Sequence, residues 1–226
     1  MKLTVKNVRV MIILTVYLYK EQPMTTTSEL HTDVLVLGSG PSGFAAAYTA
    51  AKNGAKVILV EQSGDVGGIS TSGLMSHWTG SCGSPLYYEI LKRTSQNNEG
   101  EFKNKITNLI DPEKLKTLYL EMLCEVGCKV ILYTFAEDAI CDGDKILGAT
   151  VINKSGKTDI YAKITIDATG DGDIAARSGA KFVLGRESDN KMQPATLMFK
   201  IGGVDYDKAV FLGSFESTYD TPKGEL

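Results

Sequence analysis

The stretch that most constrains this chain is residues 33–68, DVLVLGSGPSGFAAAYTAAKNGAKVILVEQSGDVGG. Thr32–Leu37 is an almost continuous β-branched and apolar run that stops at Gly38, the pattern of a parallel strand buried on both faces. From Pro41 the pattern turns helical: proline is favoured at the first helical position, the interior AAAYTAA has strong helix propensity, and Gly54 follows as a stop. Lys56–Val60 is a second apolar run, ending at Glu61. A strand, a crossover helix and a strand in that order predict a parallel βαβ unit.

Gly38-Ser39-Gly40-Pro41-Ser42-Gly43 fits the pattern GxGxxG, and each glycine has its own duty. Gly38 permits the tight turn off the strand, Gly40 lets a pyrophosphate approach the backbone, and Gly43 lets the helix pack against the sheet. The helix start then offers unpaired N–H groups and its positive dipole end to phosphates. The hexapeptide alone is weak evidence. Its place between a strand and a helix, with Glu61 at the tip of the second strand 18 residues past Gly43, makes it a dinucleotide-binding signature. A carboxylate there accepts hydrogen bonds from ribose hydroxyls and repels a 2′-phosphate, which disfavours NADP. The βαβ unit by itself leaves NAD and FAD both open.

Composition bounds the alternatives. The 226 residues are 43% hydrophobic and 23% charged with a formal net charge of −3, the profile of a globular protein. No Lys/Arg run stands out, so nothing favours nucleic acid or an anionic membrane. Cys82, Cys124, Cys128 and Cys141 form no CxxC pair, which argues against zinc or an iron–sulfur cluster and is read as reduced and cytoplasmic. Lys2, Lys6 and Arg9 precede the apolar run Val10–Tyr19, which has the shape of a signal-peptide core. No small-x-small cleavage site follows it, and it is shorter than the ~20 apolar residues that span a bilayer. Residues 1–30 are expected to be an extension, disordered or non-native, with Met24 as an alternative start.

Further along, residues 65–85 are rich in Gly and Ser and predict a long irregular segment of the kind that is more often functional than idle. Helices are expected at Leu86–Thr94 and Pro112–Val126, the second with Asp111 as N-cap and Pro112 at the first helical position. Cys128–Thr134 reads as a third strand. Lys145–Asn153 and Thr158–Ile164 flank Lys154-Ser155-Gly156-Lys157, a hairpin turn signal, and lead to a second glycine cluster, ATGDGD.

The stretch from Gly38 to Gly73 resembles the N-terminal cofactor-binding region of the FAD-dependent oxidoreductases of the glutathione-reductase-like superfamily. In those proteins the acid is followed by a Gly-Gly pair lying along the FAD, here Gly67 and Gly68, and Gln62 neighbours the acid. Ala168-Thr169-Gly170-Asp171 resembles their second motif, in which a strand returns to the cofactor after a β-hairpin excursion. Ala136 falls where these proteins recognise adenine through backbone groups. More narrowly, GGISTSGLMSHWTG and the segment from Ile166 to Gly203 look like the family that also contains flavin subunits related to heterodisulfide reductase.

What the resemblance implies is an α/β fold: a Rossmann-type FAD-binding domain with a parallel sheet and a β-hairpin insertion over residues 31–195, then the truncated start of a substrate or cap domain over 196–226, opened by a strand-like run at Thr196–Ile201. The implied function is hydride or electron transfer through non-covalent FAD, to an unknown small-molecule substrate or electron-transfer partner. No nucleic acid or membrane is expected, while a homo-oligomer or a separately encoded C-terminal half stays open. The rival readings are an NAD- or nucleotide-binding module and a catalytically incomplete fragment. Catalytic residues are not identified. His77 and Cys82 lie in the segment that could face the flavin, but loop packing or solvent exposure is the stronger reading for both. Asp171 and Asp173 are expected to cap the helix after the second motif and to contact the cofactor.

Overall fold

The computed structural model describes residues 28–79, 82–94, 107–205 and 207–209, so most of the expected N-terminal extension lies outside the described residues. The chain divides into two units between Ala195 and Thr196. In the first, β1 (Ser28–Leu37), α1 (Pro41–Lys52) and β2 (Val57–Val60) form the expected βαβ unit, with β1 and β2 parallel and Leu37 opposite Val60. A 3₁₀ turn at Gly68–Ser70 follows, then β3 (His77–Thr79), α2 (Pro85–Thr94), β4 (Thr107–Leu109), α3 (Pro112–Glu125) and β5 (Lys129–Ile131). The remaining elements are β6 (Phe135–Asp142), β7 (Lys145–Asn153), β8 (Gly156–Asp167) and α4 (Asp173–Arg177).

Six strands make one sheet in the order β5-β2-β1-β8-β7-β6. The four from β5 to β8 run parallel, and β8 then pairs antiparallel with β7, and β7 with β6. β1 explains its own sequence. Val34 and Val36 join Val57 and Leu59 under Phe44, Ala47 and Ala51 of α1 and Leu115, Leu118, Tyr119, Met122 and Leu123 of α3. Leu35 and Leu37 belong to a second cluster with Ile58, Val60, Ala149, Val151, Ile160 and Ile174. With apolar neighbours on both faces, Val34–Leu37 has no position for a polar residue. The Phe44 and Tyr119 rings stack with centroids 3.7 Å apart, fixing α1 to α3. α3 begins where expected, its N-cap Asp111 accepting from the N–H groups of Glu113 and Lys114.

Four expectations need correction. The hairpin between β7 and β8 forms around Lys154 and Ser155, but β6 extends it to a three-stranded antiparallel section of the same sheet. β6 is an edge strand carrying Glu137, Asp138 and Asp142, with register shifts after Ala136 and Ile140, so its sequence does not alternate as a half-buried strand does. The Cys128–Thr134 strand is shorter, because Tyr133 adopts φ 51° and turns the chain back beneath Ser63. Within the irregular 65–85 segment the 3₁₀ turn and β3 appear, β3 pairing antiparallel with β4. In the second unit, Thr196–Ile201 is not a strand: no ladder partner pairs with it among the described residues, and Leu197, Phe199 and Ile201 are exposed. Among the described residues no helix is long and apolar enough to cross a membrane.

Candidate cofactor site

The sheet order reverses direction at β1, which has β2 on one side and β8 on the other, and a crevice opens outside the carboxyl ends of such strands. Three backbone hydrogen bonds hold those ends level: Gly38 N–H donates to Val60 O at 2.8 Å, Ala168 N–H to Leu37 O at 2.8 Å, and Glu61 N–H to Ile131 O at 2.9 Å. Above them lies a cleft of about 850 Å³, within the range of small-molecule sites.

Of the residues expected at a cofactor, Gly38, Ser39, Gly40, Pro41, Ser42, Glu61, Gln62, Gly68, Ala136, Ala168, Thr169, Gly170 and Asp171 all line this one cleft. The two glycine turns, brought together by pairing across the β1–β8 ladder, therefore face a common space. Gly43 does not line it. A Cβ at Gly43 would lie 1.8 Å from Gly38 O, so its role is to let α1 approach the turn below the cleft. Gly38 itself has φ 89°, and a Cβ there would stand 2.5 Å from Ala168 O, so the first turn can pass the second only without a side chain. Gly67 also does not line the cleft. It turns the chain at φ 109° while its N–H donates to Ser39 O at 2.9 Å, which brings Gly68 beside Gly40.

α1 opens on Gly40 with no side chain capping it and no acid in its first turn, so its first N–H groups are available to an anion. Across the cleft mouth, Glu61 is only 6% exposed. Its Oε2 accepts from Ser39 N–H at 2.8 Å and Ser39 Oγ–H at 2.6 Å, and its Oε1 from Ser63 N–H and Ser63 Oγ–H, both at 2.8 Å. Burial pushes the Glu61 carboxyl up, but these bonds from Ser39 and Ser63 outweigh it and hold the group below the usual glutamate value.

The second turn is braced differently from the expectation. Asp171 and Asp173 do not cap α4, whose N-cap is Gly172 without a side-chain bond. The cap comes from farther back. Asp167 Oδ2 accepts Ala175 N–H at 2.7 Å, its Oδ1 accepts from Thr169 N–H and Oγ–H at 3.0 and 2.7 Å, and Asp173 N–H donates to Thr169 Oγ at 3.1 Å. Asp171 and Asp173 are left lining the cleft. Arg177 donates to Glu137 O, tying α4 to β6.

Sequence reasoning missed Val60, Ser63, Ile69, Ser72, Gly73, Thr134 and Phe135 in the lining. Ser63, two residues past the acid, and Ser72 and Gly73, inside the Gly/Ser-rich segment, carried a signal; Phe135 lies in the strand the sequence hid. His77 falls in β3, with its side chain outside the described residues; Cys82 is exposed and does not line the cleft. Cys128 is buried, and burial first, with Cys124 nearby, pushes its thiol up to about 11, the reverse of a reactive thiol. No group of His, Cys, Asp or Glu suited to a metal occurs among the described residues.

Known proteins bear on what fills the cleft. The family model for FAD dependent oxidoreductases matches residues 33–225. The chain is similar to a digeranylgeranylglycerophospholipid reductase of Picrophilus torridus, 29% identical over 63% of this chain and 40% of that protein. It is 31% identical to digeranylgeranylglycerophospholipid reductase 2 of Methanosphaera stadtmanae, over 82% of this chain and 51% of the relative. To thiamine thiazole synthase of Methanococcus aeolicus it is 32% identical, over 62% and 56%. The chain thus spans about half the length of the curated relatives it matches. Among solved structures, THI4 of Thermovibrio ammonificans superposes with a TM-score of 0.56 at 21% identity, over 83% of this chain and 76% of that one. A geranylgeranyl bacteriochlorophyll reductase-like protein of Thermoplasma acidophilum gives 0.52 at 20%, over 68% and 43%. At such identities the likeness is one of fold.

Proposed function

The chain belongs to the FAD-dependent oxidoreductase family, and from that premise we propose that the cleft at the carboxyl ends of β1, β2 and β8 holds FAD. One observation carries this: the Gly38 turn and the Gly170 turn line the same space, with Glu61 at its side. In this reading the first N–H groups of α1 bind the diphosphate across Gly40, Glu61 accepts from the adenosine ribose, and backbone at Ala136 meets adenine beside Phe135. Gly68 and the Ala168–Asp171 turn form the wall along the rest of the cofactor. The residues present fit the group: donors stand where a diphosphate is bound, an ionised acid where a diol is bound, and bare backbone between them.

Bound flavin would supply hydride or electron transfer. The chain supplies position and electrostatics: a carboxylate held charged at neutral pH excludes a 2′-phosphate, and Asp167 keeps the second turn shaped before anything binds. We take residues 31–195 as the FAD-binding domain and 196–226 as the beginning of a substrate or cap domain, with a small-molecule substrate or an electron-transfer partner acting there. A cytoplasmic setting follows from the same cysteine usage. The test is a titration of the purified chain with FAD and with NAD, read by flavin absorbance and fluorescence. Saturable FAD binding with no matching NAD binding is expected; a chain that takes up NAD and no flavin would overturn the assignment.

A further inference from the structure

We propose that the two serines on Glu61 have different duties toward the ribose of FAD: Ser39 holds the carboxylate throughout, and Ser63 gives up its hydroxyl bond so that the sugar can take its place. This rests on the cleft being the FAD site. A carboxylate has about four lone-pair sites, and Ser39 N–H, Ser39 Oγ–H, Ser63 N–H and Ser63 Oγ–H fill them at 2.6–2.8 Å. A ribose hydroxyl can reach Glu61 only where one of these donors withdraws. The two backbone donors cannot do so without moving both turns. The hydroxyls can, but they are not equivalent.

Each hydroxyl has one hydrogen to give. Ser63 Oγ stands 2.8 Å from Glu61 Oε1 and 2.7 Å from Asp65 O, two acceptors for that one hydrogen, so it can turn from the carboxylate to the carbonyl with its oxygen in place. Ser39 Oγ has no such alternative among the described residues: its other neighbour is Gly67 N–H at 3.4 Å, itself a donor. Position agrees with chemistry. Both serines line the cleft, but Ser39 is wholly buried and so is its bond to Oε2, whereas the Ser63 bond to Oε1 is only partly buried. Ser39 is thus a positioning residue, and Ser63 a replaceable donor that keeps the carboxylate satisfied until the ribose arrives.

The test uses the full chain with ADP and 2′,3′-dideoxy-ADP as competitors of FAD, so that the affinity ratio of the two nucleotides reads the ribose hydroxyls alone. FAD binding by the wild type is the first arm, and its failure would remove the cofactor assignment rather than the division between the serines. Wild type and Ser63→Ala are expected to prefer ADP by about tenfold, the size of a hydrogen bond to a charged group. Ser39→Ala is expected to reduce that ratio to less than about threefold, because Oε2, left with the backbone N–H at position 39 as its one donor, no longer fixes the carboxylate. Should Ser39→Ala fail to fold, Ser39→Cys, with its weak S–H donor, carries the same expectation. A ratio that collapses in Ser63→Ala as far as in the Ser39 variant, or that survives in both, overturns the proposal.

Discussion

Glu61 shows how a single carboxylate can be buried and remain charged. Hydrogen bonds to its ionised form outweigh desolvation, so its folded-state value lies below the ordinary 4.5. The sign of the linkage follows: the unfolded chain binds the proton more readily, so this stabilisation is complete above about pH 4.5 and is lost as the pH falls through the lower folded value. Glu61→Gln should therefore be less stable than wild type by roughly 1–3 kcal/mol at neutral pH. The gap between the two should close on acidification, as followed by urea midpoints from about pH 7 to about pH 3. An equal gap at every pH would mean that packing, not charge, is what the substitution disturbs. The acid itself was legible in the sequence, because it ends an apolar strand at a set distance from the glycine turn. Its distant partner was not, since Ser39 meets it only when two turns 22 residues apart are stacked, whereas Ser63 bonds it from two residues on.

At the scale of elements, the glycines of the first turn separate into those that serve packing and one that serves the ligand. A Cβ at Gly43 meets Gly38 O at 1.8 Å, whereas a Cβ at Gly40 meets nothing within 4 Å. Gly43→Ala should lift α1 from the sheet and lose about 1–3 kcal/mol of stability, together with flavin binding. Gly40→Ala should unfold within about 0.5 kcal/mol of wild type, as expected away from packed sites, and still lose flavin. Thermal melts beside FAD titrations separate the two, and a Gly40 variant that binds as wild type would contradict the diphosphate position. β1, α1, β2 and α3 were readable because each carries its own signal in period, proline position or cap. β3 and β4 are three residues each, too short for a period to show, while β5, expected over Cys128–Thr134, keeps only three of those residues. The cap of α4 escaped notice because its acceptor, Asp167, sits six residues before the helix rather than next to it.

For the molecule as a whole, the cleft exists only when the sheet does, so flavin binding and folding are linked. FAD at about a hundred times its dissociation constant should add about 2.7 kcal/mol to stability, seen as a rise in melting temperature that NAD at the same concentration does not reproduce. An equal rise with both would favour a general nucleotide site. The βαβ half of the cleft could be foreseen from residues 33–68 alone, but the strand order that sets β8 beside β1 is a tertiary fact, and the sequence supplied it only through likeness to other flavoproteins. That neighbouring has a consequence in time. β1 and β8 pair at a separation of 130 residues, so at ~5–20 residues per second of synthesis β1 emerges from the ribosome roughly ten seconds before the strand that completes the cleft. Until then one edge of β1 waits without a neighbour, exposed to chaperones and to other nascent chains, and cofactor capture cannot begin before β8 has followed it out.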